Sequence, residues 1–399
     1  MIGDVIVISI NNAALSKTSF YKGVSMKLKL PSHILFSSLV LIMTTSLALA
    51  DVKIGVVLPT SGAIATFGQE NINGLKLAME KIKKSSKQKL TLFVEDDKSE
   101  AIEATNAIRK LINVDKVSIV IGEVTSSNTL AMAPIAQENK IPLFSPAATN
   151  VKVTQVGNFI SRACFTDDFQ GVVMAKFAVN GLKKTKGLIV IDNSSDYSKG
   201  LGAAFKAEFL KIGGKLVSNE ELTYVQKDMD FQSLLRKIKR ANPEVIFLPG
   251  YYGEVGLIIK QARALGITAP FLGGDGWDSP KLFEIAGPAI KGNYISSHFA
   301  PDDKDPKVQS FVKDYEKAYK AKPGAMAALG YDAIGIVADA INRAKSTSSV
   351  DINAAILATK NYPGITGLIT IDENRNSKKA AVVLETTATD FVFKNKVAP

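Results

Sequence analysis

Histidine, cysteine and tryptophan are scarce in this chain: its 399 residues include two His, one Cys and one Trp. Cys164 has no second cysteine to pair with, so an intrachain disulfide is excluded and stability in any compartment must come from the core. His33 falls within the first fifty residues, which leaves His298 alone in the remainder. That removes His-paired metal ligands and HExxH zinc motifs. A Ser-His-Asp triad would have to use His298, and no GxSxG elbow accompanies it. His298 is therefore expected at a hinge or on the surface. No GxxxxGK[ST] loop and no GxGxxG fingerprint follows a strand, so nucleotide binding lacks its usual signature. The Gly-rich stretches "LPGYYGEVG" and "FLGGDGWDS" have a plainer default meaning, a tight strand-to-helix turn. The expectation is a protein without catalytic residues, cofactor or metal.

What is present is an ordinary globular composition, 46% hydrophobic and 22% charged, in a chain long enough for two domains. The first fifty residues stand apart. From Met26 the sequence runs Lys27 and Lys29, an apolar stretch, then Ala48-Leu49-Ala50, a small-x-small cleavage site; residues 1–50 thus read as an upstream segment and a cleaved signal peptide. A membrane anchor is the weaker alternative, because the apolar stretch is short and carries several Ser and Thr. No Cys follows the cleavage site, which argues against a lipoprotein. Lys17, Lys22, Lys27, Lys29 and Asp4 leave with the leader, and the net charge falls from +11 to about +8. The remaining lysines are scattered ("KIKKSSKQK", "LLRKIKR") as on solvated helix faces, so no nucleic-acid partner is expected.

From Asp51 onward, apolar β-branched runs alternate with helical patterns: "VKIGVVL" then "GLKLAMEKI", "LTLFVED" then "AIEATNAIRKLI", "VSIVIG" then "TLAMAPIAQEN". The alternation resumes with "GLIVID", "EVIFLPG" and "PFLGGDG", each followed by a helix. Such alternation means parallel strands covered by crossover helices. The expected class is α/β, two Rossmann-like lobes with parallel sheets joined by a multi-crossing hinge. The first break is placed near "RACFTDDFQG". The late helices "KVQSFVKDYEKAYKA" and "MAALGYDAIGIVADAINRA" have no sheet of their own and are expected to return to the first lobe. Residues 51–167 plus 300–372 then form the N-terminal lobe, and 168–299 plus 373–399 the C-terminal lobe.

Where a buried strand breaks into the hydroxyl row of "IGEVTSSNTL", two readings are open. On one the row simply caps the next helix; on the other its hydroxyls and the free N–H groups of the first turn form an anion site at the positive end of the helix dipole. Other polar strand ends are "PTSGAIATFGQ", "FSPAATN", "DNSSDYSKG", "PGYYGEVG" and "GGDGWDS". Six such ends, shared between two facing lobes, make a cleft.

In this order, "IGVVLPTSGAIATFGQENINGLKLA", "IGEVTSSNTLAMAP", "FSPAATN", "DNSSDYSKGL", "FLPGYYGEVGLIIKQARALG" and "FLGGDGWDS" resemble the leucine/isoleucine/valine-binding proteins, periplasmic solute receptors of ABC importers with the type I periplasmic binding protein fold. The resemblance covers nearly the whole chain after the leader. It implies that Ser126 and Thr149 bind a free amino acid's zwitterion with backbone groups around Ala147, that Asp275 faces the α-ammonium, that Tyr197 and Tyr251 line the cleft, and that Phe67 packs near the ligand side chain. On it, the hydroxyl row is better read as a carboxylate seat than as a cap. The plainer alternatives are a capping Thr149, a turn Asp275, and Tyr251 and Trp277 as lobe-surface aromatics. Two departures stand out. Some family members join the loop after the second strand to the one before the ligand Ser by a disulfide, where this chain reads "EDDKSE" and "GEVTSS". Asp275 also stands where the branched-chain receptors carry the longer Glu.

Phe67, Tyr251 and Trp277 come from three strand-end loops, none with a basic residue beside it, so the pocket is expected to favour branched-chain or other apolar side chains. The implied partners are the amino acid and an inner-membrane ABC permease with its ATPase subunits, met by a monomer in the periplasm. The competing readings are a receptor for an amide, urea-like or other small polar solute, an exported α/β enzyme using Asp275 or His298, and a sensor ectodomain.

Overall fold

The computed structural model describes residues 51–218 and 220–399. The expected signal peptide and the residues before Met26 lie outside them. Strands β1 (Asp51–Leu58), β2 (Lys89–Asp96), β3 (Ile119–Gly122), β4 (Leu143–Ser145) and β5 (Ile160–Arg162) form one all-parallel sheet in the order β2-β1-β3-β4-β5. Helices α1 (Ala65–Ile82), α2 (Ala101–Lys110), α3 (Ser126–Glu138) and the short α4 (Lys152–Gln155) make the crossovers. Side chains alternate across a strand, so β1 sends Ile54, Val56 and Leu58 into one buried cluster with Leu75 and Met79 of α1, and Val57 into another with Ile108 of α2 and Met132 of α3. Fully burying each such side chain contributes about 1.5–3 kcal/mol.

A second unit follows α5 (Asp167–Lys176), with β6 (Lys186–Asp192), α6 (Asp196–Lys211), β7 (Lys215–Leu216), β8 (Leu222–Tyr224), α7 (Gln232–Ala241), β9 (Val245–Phe247), α8 (Tyr252–Ala264), β10 (Phe271–Gly273), α9 (Pro280–Ala286) and β11 (Tyr294–Ser297). The chain then makes α10 (Pro306–Tyr319), α11 (Ala325–Arg343) and α12 (Ser349–Leu357), three short strands β12 (Tyr362–Gly364), β13 (Gly367–Ile371) and β14 (Ser377–Lys378), and finally β15 (Ala381–Thr386) and β16 (Phe391–Val397). The second sheet runs β16-β15-β11-β10-β9-β6-β7, with β8 also on β6. It is parallel except for β15 and β16, which add to β11 as antiparallel edge strands.

Among the late helices, α11 packs along α1, and Asn71 Nδ2 donates to Met326 O at 3.0 Å. By length and composition α11 would suffice to cross a membrane, yet most of it is buried within the protein, as in a soluble core. The last passage between sheets comes later than the sequence reading placed it. Because β14 still pairs with β13, and Ser377 Oγ donates to Arg162 O at 2.9 Å, the crossing falls at 379–380 rather than after 372. The sheets are therefore joined at 163–166, 298–305 and 379–380.

Candidate functional site

The carboxyl ends of the two sheets face each other, and the hydroxyl row lies there. Thr125 is the N-cap of α3 but makes no side-chain capping bond. Ser126, buried, accepts from Asn150 N at 3.1 Å, tying α3 to the loop after β4. Ser127 Oγ meets Asp196 from the other lobe, donating to Oδ2 and accepting from the amide, each at 3.0 Å. Asn150 Nδ2 donates to Asp196 O at 2.6 Å.

The loop carrying Ala147 and Thr149 is held from beneath by a cation. Arg162, wholly buried, donates through Nη1 to Ala148 O at 2.6 Å and through Nη2 to Asn150 O at 2.7 Å. A guanidinium there adds positive potential under the first-turn N–H groups, and both favour an anion. Thr149 does not cap α4, whose N-cap is Val151. Its carbonyl accepts from Asp167 N at 2.9 Å, which sets the Thr149 side chain beside the Asp167 carboxyl.

The second lobe supplies acids. Asp275 is buried, and its carboxylate is not used in a local turn. Oδ1 accepts from Tyr197 OH at 3.0 Å and from Gln170 Nε2 at 3.1 Å, while Oδ2 lies 3.0 Å from His298 Nε2. Gln170 Nε2 also donates to Asp167 Oδ1 at 3.1 Å, so one amide bridges two acids. Asp167 Oδ2 has no hydrogen-bond partner among the described residues. Burial above all, and then the nearby Asp275 charge, push the Asp167 carboxyl up to about 8, against the pull of Thr149, Gln170 and Arg162.

Of the two places expected for His298, hinge or surface, it takes the hinge and is buried there. It sits in the crossing after β11, 2% exposed and stacked on Phe165 with ring centroids 3.7 Å apart. Burial lowers it to about 4, outweighing the neighbouring carboxylate, so the ring is neutral near pH 7 and its contact with Asp275 is a hydrogen bond donated by Nε2–H.

Aromatics close the cleft. Phe67 of α1 meets Tyr251 and Tyr252 edge-on, with centroids 6.2 and 5.1 Å away, and Tyr251 stacks on Tyr197 at 5.3 Å. Trp277 takes a different place from that expected of a third pocket wall. Its indole N–H donates to Leu248 O at 3.0 Å, in the core beneath the strand ends. The glycines of "FLGGDGWDS" open a tight turn, with Trp277 N donating to Gly274 O at 3.2 Å, and also give room: a Cβ on Gly273 would lie 2.2 Å from the Trp277 ring, and one on Gly274 2.5 Å from Tyr197 OH.

A groove of about 190 Å³ opens between the lobes at Thr125, Asn128, Lys227, Tyr251 and Glu254. Cavities of about 280 and 460 Å³ occur elsewhere, one along β6 and α6 and one beside α5, and contain none of these site residues. Converging charge, not volume, marks the site.

A family model described as periplasmic binding protein matches residues 51–386. The chain is 32% identical over 338 residues to Leu/Ile/Val-binding protein homolog 3 of Brucella melitensis, covering 83% of this chain and 88% of that one. It belongs to the leucine/isoleucine/valine-binding protein family. Among solved structures, a leucine binding protein LivK from Thermotoga maritima superposes with a TM-score of 0.84 at 40% identity, covering 87% of this chain and 99% of the other. The branched-chain amino acid transporter substrate binding protein LivJ of Streptococcus pneumoniae, in complex with isoleucine, gives 0.82 at 31% identity, covering 88% and 100%.

In this family member the expected residues Ser126, Ala147, Thr149, Tyr197, Tyr251, Phe67 and Asp275 all lie at the facing strand ends. Sequence reasoning missed Arg162, Asp167, Gln170, Tyr252 and His298. A buried Arg at the end of β5 and an acid at the start of α5 were visible in "RACFTDDFQG", but that stretch read only as a lobe boundary. Where a disulfide would join the two loops, Asn128 Nδ2 instead donates to Asp97 Oδ2 at 3.3 Å.

Proposed function

We propose that this protein captures a free amino acid with an apolar side chain between its lobes and delivers it, in the periplasm, to an ABC permease with its ATPase subunits. The ligand carboxylate sits on the first turn of α3 with Ser126, Thr149 and the backbone near Ala147, above Arg162. The ammonium lies against Asp275, with the bare Asp167 Oδ2 beside it. Phe67, Tyr251 and Tyr252 receive the side chain. The observation that carries this reading is the division of charge at the facing strand ends: hydroxyls, helix N–H groups and the buried Arg162 from the first lobe, the Asp275 and Asp167 carboxyls from the second. Each charge-assisted bond contributes about 1.5–3 kcal/mol.

The protein does no chemistry on this account. His298, the obvious base, spends its Nε2–H on Asp275 and stacks on Phe165 in the interior. It acts as a monomer after removal of residues 1–50. Closure brings together Ser127 with Asp196, Asn150 with Asp196 O, Tyr252 OH with Ala63 O at 3.2 Å, and Lys227 with Glu100 at 2.8 Å, contacts that an open form gives up. The relatives named leucine- and branched-chain-binding support the apolar choice.

The test is mass spectrometry of whatever is released when the purified protein is denatured, followed by calorimetry with the common amino acids. Leucine, isoleucine, valine or phenylalanine is the expected ligand. Recovery of a neutral amide or urea-like solute, with no amino-acid binding, would replace this reading with the polar-solute one. An intact mass that begins at Asp51 checks the leader.

A further inference from the structure

Two buried acids stand behind the first turn of α3. Glu123 and Asp97, in the loops after β3 and β2, are both fully buried, and neither is in an ion pair among the described residues. Glu123 Oε2 accepts from Thr125 N at 2.6 Å and also from the Thr125 hydroxyl, while Oε1 meets no donor. Asp97 accepts from Ser99 N at 3.0 Å and from Asn128 Nδ2 at 3.3 Å. The Glu123 carbonyl is itself pinned by the hydroxyls of Thr129 and Ser145 at 3.0 and 2.7 Å, so its side chain is set on a rigid base.

The consequence falls on Thr125. A Thr at the N-cap, with the extended backbone seen here, ordinarily turns its hydroxyl onto the N–H of the second or third helical residue. Thr125 makes no such bond, because Glu123 holds the hydroxyl instead. The leading N–H groups of α3 are left without a side-chain cap.

We propose that Glu123, braced by Asp97, is a positioning residue for ligand recognition: by holding the Thr125 hydroxyl and N–H it keeps the N-cap from closing the end of α3, so that the first-turn N–H groups stay open to the ligand carboxylate. This rests on the reading of α3 as the carboxylate seat. A pair of ionised acids behind that seat would repel the ligand, so the pair must hold protons to do this. Burial supplies the reason, raising Glu123 well above the carboxylate range and Asp97 to about 6; the Asp97 charge adds to the rise of Glu123, whereas hydrogen bonds from Ser99 N, Asn128 and Glu123 hold Asp97 back. The other titratable groups that face the pair are Tyr251 across the cleft, itself raised by burial and by Glu123, and Asp96, held in the opposite direction by hydrogen bonds from Ser61, Lys98 and Thr60. The sign follows. An anionic ligand favours the protonated pair, so affinity is highest on the acid side of about pH 6 and declines as the pair loses its protons.

The test is calorimetric titration of leucine into the full exported protein across about pH 5.5 to 8.5, with Glu123→Gln/Asp97→Asn, Glu123→Ala, Glu123→Ala/Thr125→Val and Ser126→Ala beside the wild type. The wild type should weaken about tenfold toward high pH, a change of about 1.4 kcal/mol. Glu123→Gln/Asp97→Asn, which leaves the pair no charge to gain, should give a flat profile. Glu123→Ala should bind about tenfold more weakly as the freed hydroxyl caps the helix, and removal of that hydroxyl in the double variant should restore most of the loss. Coincident pH profiles for wild type and Glu123→Gln/Asp97→Asn overturn the proposal, as does a Glu123→Ala/Thr125→Val variant no better than Glu123→Ala; if Glu123→Ala does not fold, the profiles decide. Wild-type affinity in Ser126→Ala would remove the carboxylate seat and this proposal with it. Loss of binding in Ser126→Ala alongside coincident profiles rejects the role of Glu123 alone.

Discussion

The two lobes share an architecture and differ in what they present to the cleft. Both are parallel sheets covered by helices, and both bring helix N-termini to the carboxyl edge. The first lobe meets the cleft with hydroxyls, amides and the buried Arg162; the second meets it with Asp275, Asp167 and the tyrosines. The same fold thus yields opposite potentials because short loop segments are replaced while the strands are not, which is why function in such folds is read from strand ends. The buried acids also differ. Asp275 faces three donors, whereas Asp167 and Glu123 each keep one oxygen with no partner.

The sharpest way to break the contrast is to neutralise the acidic side. Asp275→Asn should weaken leucine binding by about 2–5 kcal/mol, since a desolvated ammonium loses its counter-charge. Binding of the deaminated analogue 4-methylpentanoate should change far less. Calorimetry with both ligands measures the difference, and equal losses would make Asp275 structural. On the donor side, Arg162→Met should destabilise the first lobe by about 1–3 kcal/mol for each carbonyl left unpaired, read from denaturant unfolding. Ser126→Ala and Thr149→Ala should each reduce affinity by about 1–3 kcal/mol, and Ser126→Ala, which leaves the buried Asn150 N–H unpaired, should also lower stability by about 1–3 kcal/mol in denaturant unfolding.

A smaller effect sharpens the contrast through pH. Folded-state values of about 8 for Asp167 and about 6 for Asp97 and Asp278 lie above those of an unfolded Asp. The folded protein therefore binds more protons than the unfolded chain, and this contribution to stability is present at low pH and lost as pH rises through those values. His298, lowered to about 4, works the other way, its contribution fading as pH falls from the ordinary histidine value. The melting temperature should thus pass through a maximum on the acid side of neutrality and fall toward pH about 8.5; a steady rise to that pH would contradict the assignment. The least consequence is expected at the exposed latch: Lys227→Ala, removing the pair with Glu100, should leave affinity unchanged at physiological salt.

Much of this molecule was legible from local pattern. Runs such as "VKIGVVL" and "GLIVID" read as buried parallel strands because they are apolar on both faces, and each helix after them showed its stripe. Hydroxyls and glycines at the strand ends marked the cleft, since buried strands seldom stop in such residues without a reason. What local pattern could not carry was direction and partnership. Trp277, two residues from Asp275, points into the core because Leu248 O and the bare Gly273 make room there, a fact set by the strand beside it.

The sequence by itself determined the alternation of strand and helix, the strand ends that line the cleft, and the absence of paired ligands for a metal, because these depend on residue type and short spacing. Only the tertiary structure decided the charges within. Arg162 becomes a brace, Asp167 a raised acid and His298 a neutral donor because residues far apart in the chain are packed around them, and desolvation is a property of the fold rather than of any segment. The passage at 379–380 was hidden for a similar reason: two adjacent short strands, β14 and β15, look alike in sequence, and only their partners, β13 and β11, place them in different sheets.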